Sequence, residues 1–141
     1  MLANLDAKAA GALAKWHDMV ARRDFAELGA IVHPEATFRS PMAFKPYQSA
    51  QAVMLILRTV MTVFEDFAYH RQFVSADGLS VVLEFSARVG ERSLKGVDVI
   101  AFDGDGLITD FEVMVRPLNG LQALGEQMGA RLAAVLPQFK S

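Results

Sequence analysis

Between Leu83 and Val115 the chain reads LEFSARVGERSLKGVDVIAFDGDGLITDFEVMV. Apolar residues recur at every second position at the start of this stretch and again at its end. In the first segment, which extends back to Val81, one face holds Val81, Leu83, Phe85, Ala87 and Val89. In the last segment one face holds Phe111, Val113 and Val115. Polar and charged residues occupy the positions between them. Gly90-Glu91 and Gly104-Asp105-Gly106 supply turn chemistry between the segments. The pattern predicts antiparallel strands with one face buried and the other wetter.

The same period of two begins near Phe67, and Ala76-Asp77-Gly78 supplies a further turn, so four strands are expected in this half of the chain. Pro117 ends the sheet. After it, a stripe of apolar residues at helical spacing predicts a final helix, and the stripe consists of Leu118, Leu121, Leu124, Met128, Leu132 and Val135.

The first half of the chain predicts helices and one short strand. An amphipathic helix is expected from Leu5 to Arg23. The capping-box pattern at residues 24–27 predicts a second, short helix that Pro34 ends, and a strand follows over residues 35–40. Ser49 is suited to cap a third helix that runs to about Phe64 and is buried on more than one side. Helices followed by antiparallel strands make an α+β domain, in which a curved sheet encloses helices and leaves an open mouth.

Composition indicates a single domain over residues 1–141. The chain has no cysteine, a net charge of −2 and an isoelectric point near 5.9, with no basic patch for nucleic acid and no apolar run long enough to span a membrane. We therefore expect a cytoplasmic protein that binds neither nucleic acid nor membrane. Hydrophobic residues make up 52% of the chain and charged residues 21%, which favours an oligomer interface or an apolar cavity.

Two segments resemble the ketosteroid isomerases and SnoaL-like cyclases of the nuclear-transport-factor-2-like superfamily. One is WHDMVARRDFAELGAIVHPEATFRSP, residues 16–41, and the other is the stretch from Leu83 to Val115 quoted above. The resemblance implies a cone-shaped, curved antiparallel sheet wrapped around helices, with an apolar pocket for a small molecule. It also implies a homodimer that pairs through the outer face of the sheet.

Carried over residue by residue, the resemblance implies that most of the isomerase machinery is replaced. Ser40 occupies the position of the proton-shuttling aspartate, Trp16 that of the tyrosine that binds the oxyanion, and Leu57 that of a supporting tyrosine. Asp98 matches the remaining acid of the family site. Steroid isomerisation needs a base to move a proton between carbons, so we expect this activity to be absent or negligible.

Asp98 is therefore the first candidate for a catalytic residue. Periodicity leaves open whether Asp98 or its neighbour Val97 points inward, and the resemblance favours Asp98. The residues predicted to line the pocket are Trp16, Phe38, Ser40, Leu57, Leu83, Phe85, Ile100, Phe102, Phe111, Val113 and Val115. The competing interpretation is that Asp98 is a buried structural group that accepts from the Trp16 indole N–H or the Ser40 hydroxyl. Desolvation is expected to raise the pKa of Asp98.

His17 is a weaker candidate, either as a residue at the rim of the pocket or as a replacement base. The three histidines show no metal-ligand spacing, and no cofactor or metal is expected. The faces of Tyr69 and His70 stay open. Two classes of function remain: a cofactor-independent isomerase, cyclase, dehydratase or hydrolase acting on a small apolar substrate, and a non-catalytic ligand-binding or dimeric accessory domain.

Overall fold

The computed structural model describes residues 4–133. The helices are Ala7–Arg22 (α1), Ala50–Val63 (α2) and Leu118–Leu132 (α3). The strands are Val32–Arg39 (β1), Tyr47–Gln48 (β2), Glu65–Val74 (β3), Ser80–Val89 (β4), Arg92–Phe102 (β5) and Ile108–Arg116 (β6). None of the helices in this part of the chain is long and apolar enough to cross a bilayer.

The six strands form one curved open sheet in the order β2-β1-β6-β5-β4-β3. Neighbouring strands are antiparallel except for β1 and β6, which run parallel. The expected α+β fold is confirmed, with this parallel pair as a difference within the sheet. A parallel pair needs a long connection between its strands, and β2, α2 and strands β3 to β5 lie between β1 and β6 along the chain.

The alternation expected for β4 is also confirmed, since the inner face of this strand is buried. Together with the helices, this face forms one main hydrophobic core, in which Leu13 and Trp16 of α1 and Val53 of α2 cluster with Leu83 and Ile100. Helix α3 packs against strands β5 and β6 of the sheet.

Helices α1 and α2 lie within two residues of their predicted bounds, and each begins at a side-chain cap. The Asp6 carboxylate accepts from the backbone N–H groups of Lys8 and Ala9. The Ser49 hydroxyl accepts from the N–H of Ala52 at 3.0 Å. Satisfying these otherwise unpaired donors fixes where each helix begins.

The short second helix was predicted wrongly. Only a single 3-10 turn forms, at Leu28–Ala30, and Asp24 accepts from the N–H of Ala26 in a local turn instead of capping a helix. Strand β1 then begins before Pro34 and runs through it. The register between β1 and β6 shifts between Val32 and Thr37, so the proline, which has no N–H, lies where the ladder is interrupted.

The structure differs from the sequence-based prediction in two further details. The two-residue strand β2 lies in the segment that was expected to be a loop, and it pairs with Thr37 and Phe38 of β1. In α3, Leu124 and Leu132 of the predicted stripe are buried whereas Leu118 is exposed. Val135 lies outside the described residues.

Candidate functional site

An apolar cavity of about 500 Å³ lies between the inner face of the sheet and the helices. Six of the eleven residues predicted to line it do so: Trp16, Phe38, Ser40, Leu57, Phe111 and Val113. The sequence analysis did not predict that α3 forms one wall, through residues that include Leu124, Met128 and Leu132. The helical stripe was visible in the sequence, but its position over the mouth of the sheet depends on the tertiary fold.

Five residues predicted to line the cavity are not among those that do: Leu83, Phe85, Ile100, Phe102 and Val115. They lie on the predicted inner face, but other side chains cover them. Leu83, Ile100 and Phe102 belong to the core cluster with α1. The ring of Phe85 contacts those of Phe64 and Phe67, with centroids 5.5 and 5.2 Å apart. Phe64 and Phe85 belong to a second hydrophobic cluster, and Val115 packs against this cluster.

Asp98 points inward and lines the cavity with only 6% of its surface exposed. The open question about the register of β5 is thereby answered, because Ile100 and Phe102 are buried on the same face. Asp98 pairs across the sheet with Leu83 on β4 and Val113 on β6, so apolar side chains flank the carboxyl group on both sides.

The partner of Asp98 is Tyr69, which the sequence analysis missed. The Tyr69 hydroxyl donates to Asp98 Oδ2 at 2.6 Å and accepts from the Trp16 indole N–H at 2.9 Å. The expectation that Trp16 or Ser40 donates directly to Asp98 was therefore wrong. Trp16 reaches Asp98 only through Tyr69, and the Ser40 hydroxyl accepts from the N–H of Met42 in a local turn.

Burial governs the electrostatics of this group. Desolvation raises the pKa of Asp98 from its ordinary value of 3.8 to about 7, against the opposing effect of the hydrogen bond from Tyr69. The direction is the one expected from the sequence. Burial, followed by the proximity of Asp98, raises the pKa of Tyr69 well above its usual value, so Tyr69 keeps its proton at neutral pH.

Tyr69 escaped prediction because β3 is irregular. The pairing between β3 and β4 shifts register between Glu65 and Ala68 and again between Tyr69 and Gln72. Within the second shift His70 and Arg71 lie in succession on the outer face, where they form hydrogen bonds with Ser86 and Glu84. Such bulges break the simple alternation of sides. The available signal was chemical: a buried acid needs a donor, and Tyr69 is a hydroxyl-bearing residue on a neighbouring part of the sheet.

His17 does not line the cavity. Its half-buried ring packs edge-on against Tyr69, with centroids 5.2 Å apart, and burial lowers the pKa of the imidazole. His17 therefore lies outside the lining of the cavity, and its role as a replacement base stays a prediction. Within residues 4–133, no group of three or more potential metal ligands is clustered.

A curved sheet wrapped around helices, with an apolar cavity that holds one acid, defines the cystatin-like or nuclear-transport-factor-2-like class. The chain belongs to the SnoaL-like domain family of this class, whose pattern matches residues 13–111. Among curated proteins, no sequence is similar enough to count as a match.

Solved structures agree with this assignment. One from Pseudomonas aeruginosa, described as a steroid delta-isomerase, is 68% identical, with 94% of this chain and 97% of that chain covered and a TM-score of 0.91. An uncharacterised cystatin-like protein from Silicibacter pomeroyi is 32% identical over 91% of each chain, with a TM-score of 0.82. A protein of unknown function from Mesorhizobium loti, described as NTF2-like, shares the fold at 17% identity, with 78% and 92% covered and a TM-score of 0.68.

Proposed function

We propose that this protein binds a small, mostly apolar molecule in the cavity and transfers a proton to or from it through Asp98, in a reaction of the isomerase or cyclase kind. The family and its isomerase-like relative support this class of chemistry. No cofactor is part of the proposal, because a proton transfer to or from a substrate oxygen needs only an acid with a suitable pKa.

The observation that carries the proposal is the contrast between the cavity and its one acid. Asp98 is the only carboxyl group among the described residues that line the cavity, and nearly all of its neighbours there are apolar. An acid with a pKa of about 7 is populated in both protonation states near neutral pH. That is the condition under which a single group gives up and takes back a proton efficiently.

The apolar walls also favour chemistry at Asp98. A hydrogen bond from a neutral carboxyl group to a carbonyl, epoxide or hydroxyl oxygen is stronger where water is excluded, and it stabilises negative charge that develops on that oxygen. A substrate with one such oxygen and an otherwise apolar skeleton satisfies both the walls and the acid.

Binding is tested with the naphthalene ketone dye prodan, whose emission moves to longer wavelength when its carbonyl oxygen accepts a hydrogen bond. We expect binding to the unaltered protein, with emission at longer wavelength than in Asp98→Leu. Glu84→Gln, a change on the outer face of the sheet, is the matched control and should leave the emission unchanged. Equal emission from the protein and from Asp98→Leu would contradict contact between Asp98 and the ligand oxygen.

Catalysis is tested with unsaturated ketones and epoxy alcohols that are similar in size to prodan. Asp98→Asn keeps the shape of the side chain and removes its titrating proton, so we expect turnover to fall by roughly 100-fold or more while prodan still binds. Turnover that survives in Asp98→Asn would refute the assigned role of Asp98.

Steroid isomerisation is a separate question, because the P. aeruginosa relative is described by that activity. Ser40 replaces the expected base, and its hydroxyl accepts from the backbone of Met42. We expect little or no conversion of an unconjugated steroid ketone, and a gain of activity in Ser40→Asp. Efficient conversion by the unaltered protein would show that Asp98 or another group supplies the base.

A second candidate function is non-catalytic ligand binding. The described lining contains no second carboxyl group and no histidine or lysine to act with Asp98 as an acid–base pair. Binding of prodan without turnover of any of the compounds above would favour this alternative.

Homodimer formation and a cytoplasmic location stay predictions. The outer face of the sheet offers a surface for the first, because Phe73 and Met114 each expose 51% of their surface. A monomer by light scattering at micromolar concentration would contradict it.

A further inference from the structure

We propose that Tyr69 is a positioning residue that holds the titrating proton of Asp98 on Oδ1, the carboxyl oxygen left free toward the cavity. The inference deepens the proposed function, since it names the atom of Asp98 that would meet a ligand oxygen. It also makes the acid directional, because only one of the two carboxyl oxygens then serves as the donor.

The first step of the argument concerns Trp16. An indole N–H donates and cannot accept. At 2.9 Å from the Tyr69 hydroxyl, it therefore occupies a lone pair of the phenolic oxygen and turns the single Tyr69 proton away from itself. Trp16 is 2% exposed and its ring packs against Phe25 and Phe111, so the indole has little freedom to leave this position.

The second step concerns the destination of the Tyr69 proton. Asp98 Oδ2 lies 2.6 Å from the hydroxyl, and among residues 4–133 the hydroxyl makes side-chain hydrogen bonds only to Trp16 and Asp98. If protonated Asp98 instead donated from Oδ2 to Tyr69, the phenolic proton would have no acceptor there. A buried donor without an acceptor is costly, so Oδ2 accepts in both protonation states of Asp98.

The third step concerns the other carboxyl oxygen. Within the described chain Oδ1 has no hydrogen-bond partner, and no buried side-chain oxygen is left unsatisfied. Oδ1 is thus accessible, and Asp98 lines the cavity. When Asp98 takes up a proton, Oδ1 is the free site, and the O–H group is directed toward a ligand.

The first experiment needs no ligand. Carboxyl-carbon NMR follows the titration of Asp98 in the free protein, in Tyr69→Phe and in Glu84→Gln. Tyr69→Phe removes only the hydroxyl, so we expect the pKa of Asp98 to rise by roughly one to two units, the size of a lost hydrogen bond to a charged oxygen. Glu84→Gln is the control, because it changes a carboxyl group on the outer face of the sheet and should leave the pKa of Asp98 unchanged. An unchanged or lowered pKa in Tyr69→Phe would overturn the proposal.

The second experiment identifies the protonated oxygen. The infrared C=O band of neutral Asp98 is recognised by its loss in Asp98→Asn. If Oδ2 is the carbonyl oxygen that accepts from Tyr69, the band moves to higher frequency in Tyr69→Phe. A band that stays in place would mean that Oδ2 carries the proton, and would overturn the proposal.

These readouts separate the inference from the proposed function. A raised pKa together with a shifted infrared band supports the positioning role of Tyr69 even if prodan does not bind. Conversely, prodan binding that depends on Asp98, with neither the pKa nor the band altered in Tyr69→Phe, would leave the proposed function standing and refute the role of Tyr69.

Discussion

The two faces of the sheet each hold one nearly buried carboxyl group, and the two groups behave in opposite ways. Asp98 lies on the inner face and is 6% exposed, while Glu84 lies on the outer face and is 8% exposed. They sit on adjacent rungs of the same ladder, where Leu83 pairs with Asp98 and Glu84 pairs with Val97. Burial raises the pKa of Asp98 to about 7, whereas the hydrogen bonds from Arg71 lower the pKa of Glu84 to about 2.

The difference comes from the partners. Arg71 donates to both oxygens of Glu84, at 2.9 and 2.6 Å, and the Lys95 ammonium lies 3.4 Å away. Among residues 4–133, the Asp98 side chain has only the neutral hydroxyl of Tyr69 as a hydrogen-bond partner. Opposite charge favours the ionised form of an acid, and desolvation without opposite charge favours the neutral form. Two carboxyl groups of similar solvent exposure thus lie in different surroundings, because exposed cations cover Glu84 at the surface of the sheet whereas apolar side chains enclose Asp98 in the cavity.

The largest expected effect is the separation of the two titrations. In a carboxyl-carbon NMR titration, we expect Asp98 to change protonation near pH 7 and Glu84 near pH 2. If Asp98 titrated below its ordinary value of 3.8, the contrast would disappear and Asp98 would be a structural carboxylate.

A second prediction concerns Asp98→Asn and stability. Because the folded-state pKa is raised, the native protein binds more protons than the unfolded chain between pH 3.8 and about 7. Relative to the variant, the protein should lose up to about 4 kcal/mol of unfolding free energy across this window and no more above it. Asp98→Asn should therefore be neutral or stabilising at neutral pH.

Denaturant unfolding at several pH values measures this difference, and Glu84→Gln is the control of opposite sign. The stability that ionised Glu84 contributes is present above its ordinary pKa of 4.5 and is lost as the pH falls through about 2. If the stability of the two variants showed the same pH dependence, the opposite pKa shifts assigned to Asp98 and Glu84 would be contradicted.

A third prediction separates the two cations on the outer face. Arg71→Gln removes two short contacts with Glu84, whereas Lys95→Gln removes one longer contact. We expect the pKa of Glu84 to rise by roughly one unit or more in Arg71→Gln and by less in Lys95→Gln. The pKa of Asp98 should stay unchanged in both variants, because the sheet separates it from these cations. A shift at Asp98 would show that the faces are electrostatically coupled.

Asp98 and its partner Tyr69 show how much of the candidate site could be predicted from the sequence. Alternation in the segment of β5 fitted either Asp98 or Val97 on the inner face, and the family resemblance was needed to predict an inward Asp98 with a raised pKa. Tyr69 could not be predicted as the hydrogen-bond partner of Asp98, because two register shifts in β3 decide which face Tyr69 occupies. The local sequence does not show where such shifts fall. The wall formed by α3 was missed for a related reason: a helical stripe predicts burial but does not distinguish a packed core from a cavity.

The smallest expected effect belongs to His17, which the sequence suggested as a replacement base. Its ring contacts the edge of Tyr69 and does not line the cavity, and burial lowers its pKa, so it is largely neutral near pH 7. His17→Gln should therefore leave the NMR titration of Asp98 within a few tenths of a unit of its original midpoint, since the edge contact with Tyr69 and the 3.5 Å contact with the Gln72 amide do not involve Asp98. Tyr69→Phe provides the scale for this measurement, because it removes the hydrogen bond itself. A shift in His17→Gln as large as that in Tyr69→Phe would mean that His17 acts on Asp98 through Tyr69, and the group that controls the acid would then extend from the inner face of the sheet to the surface of α1.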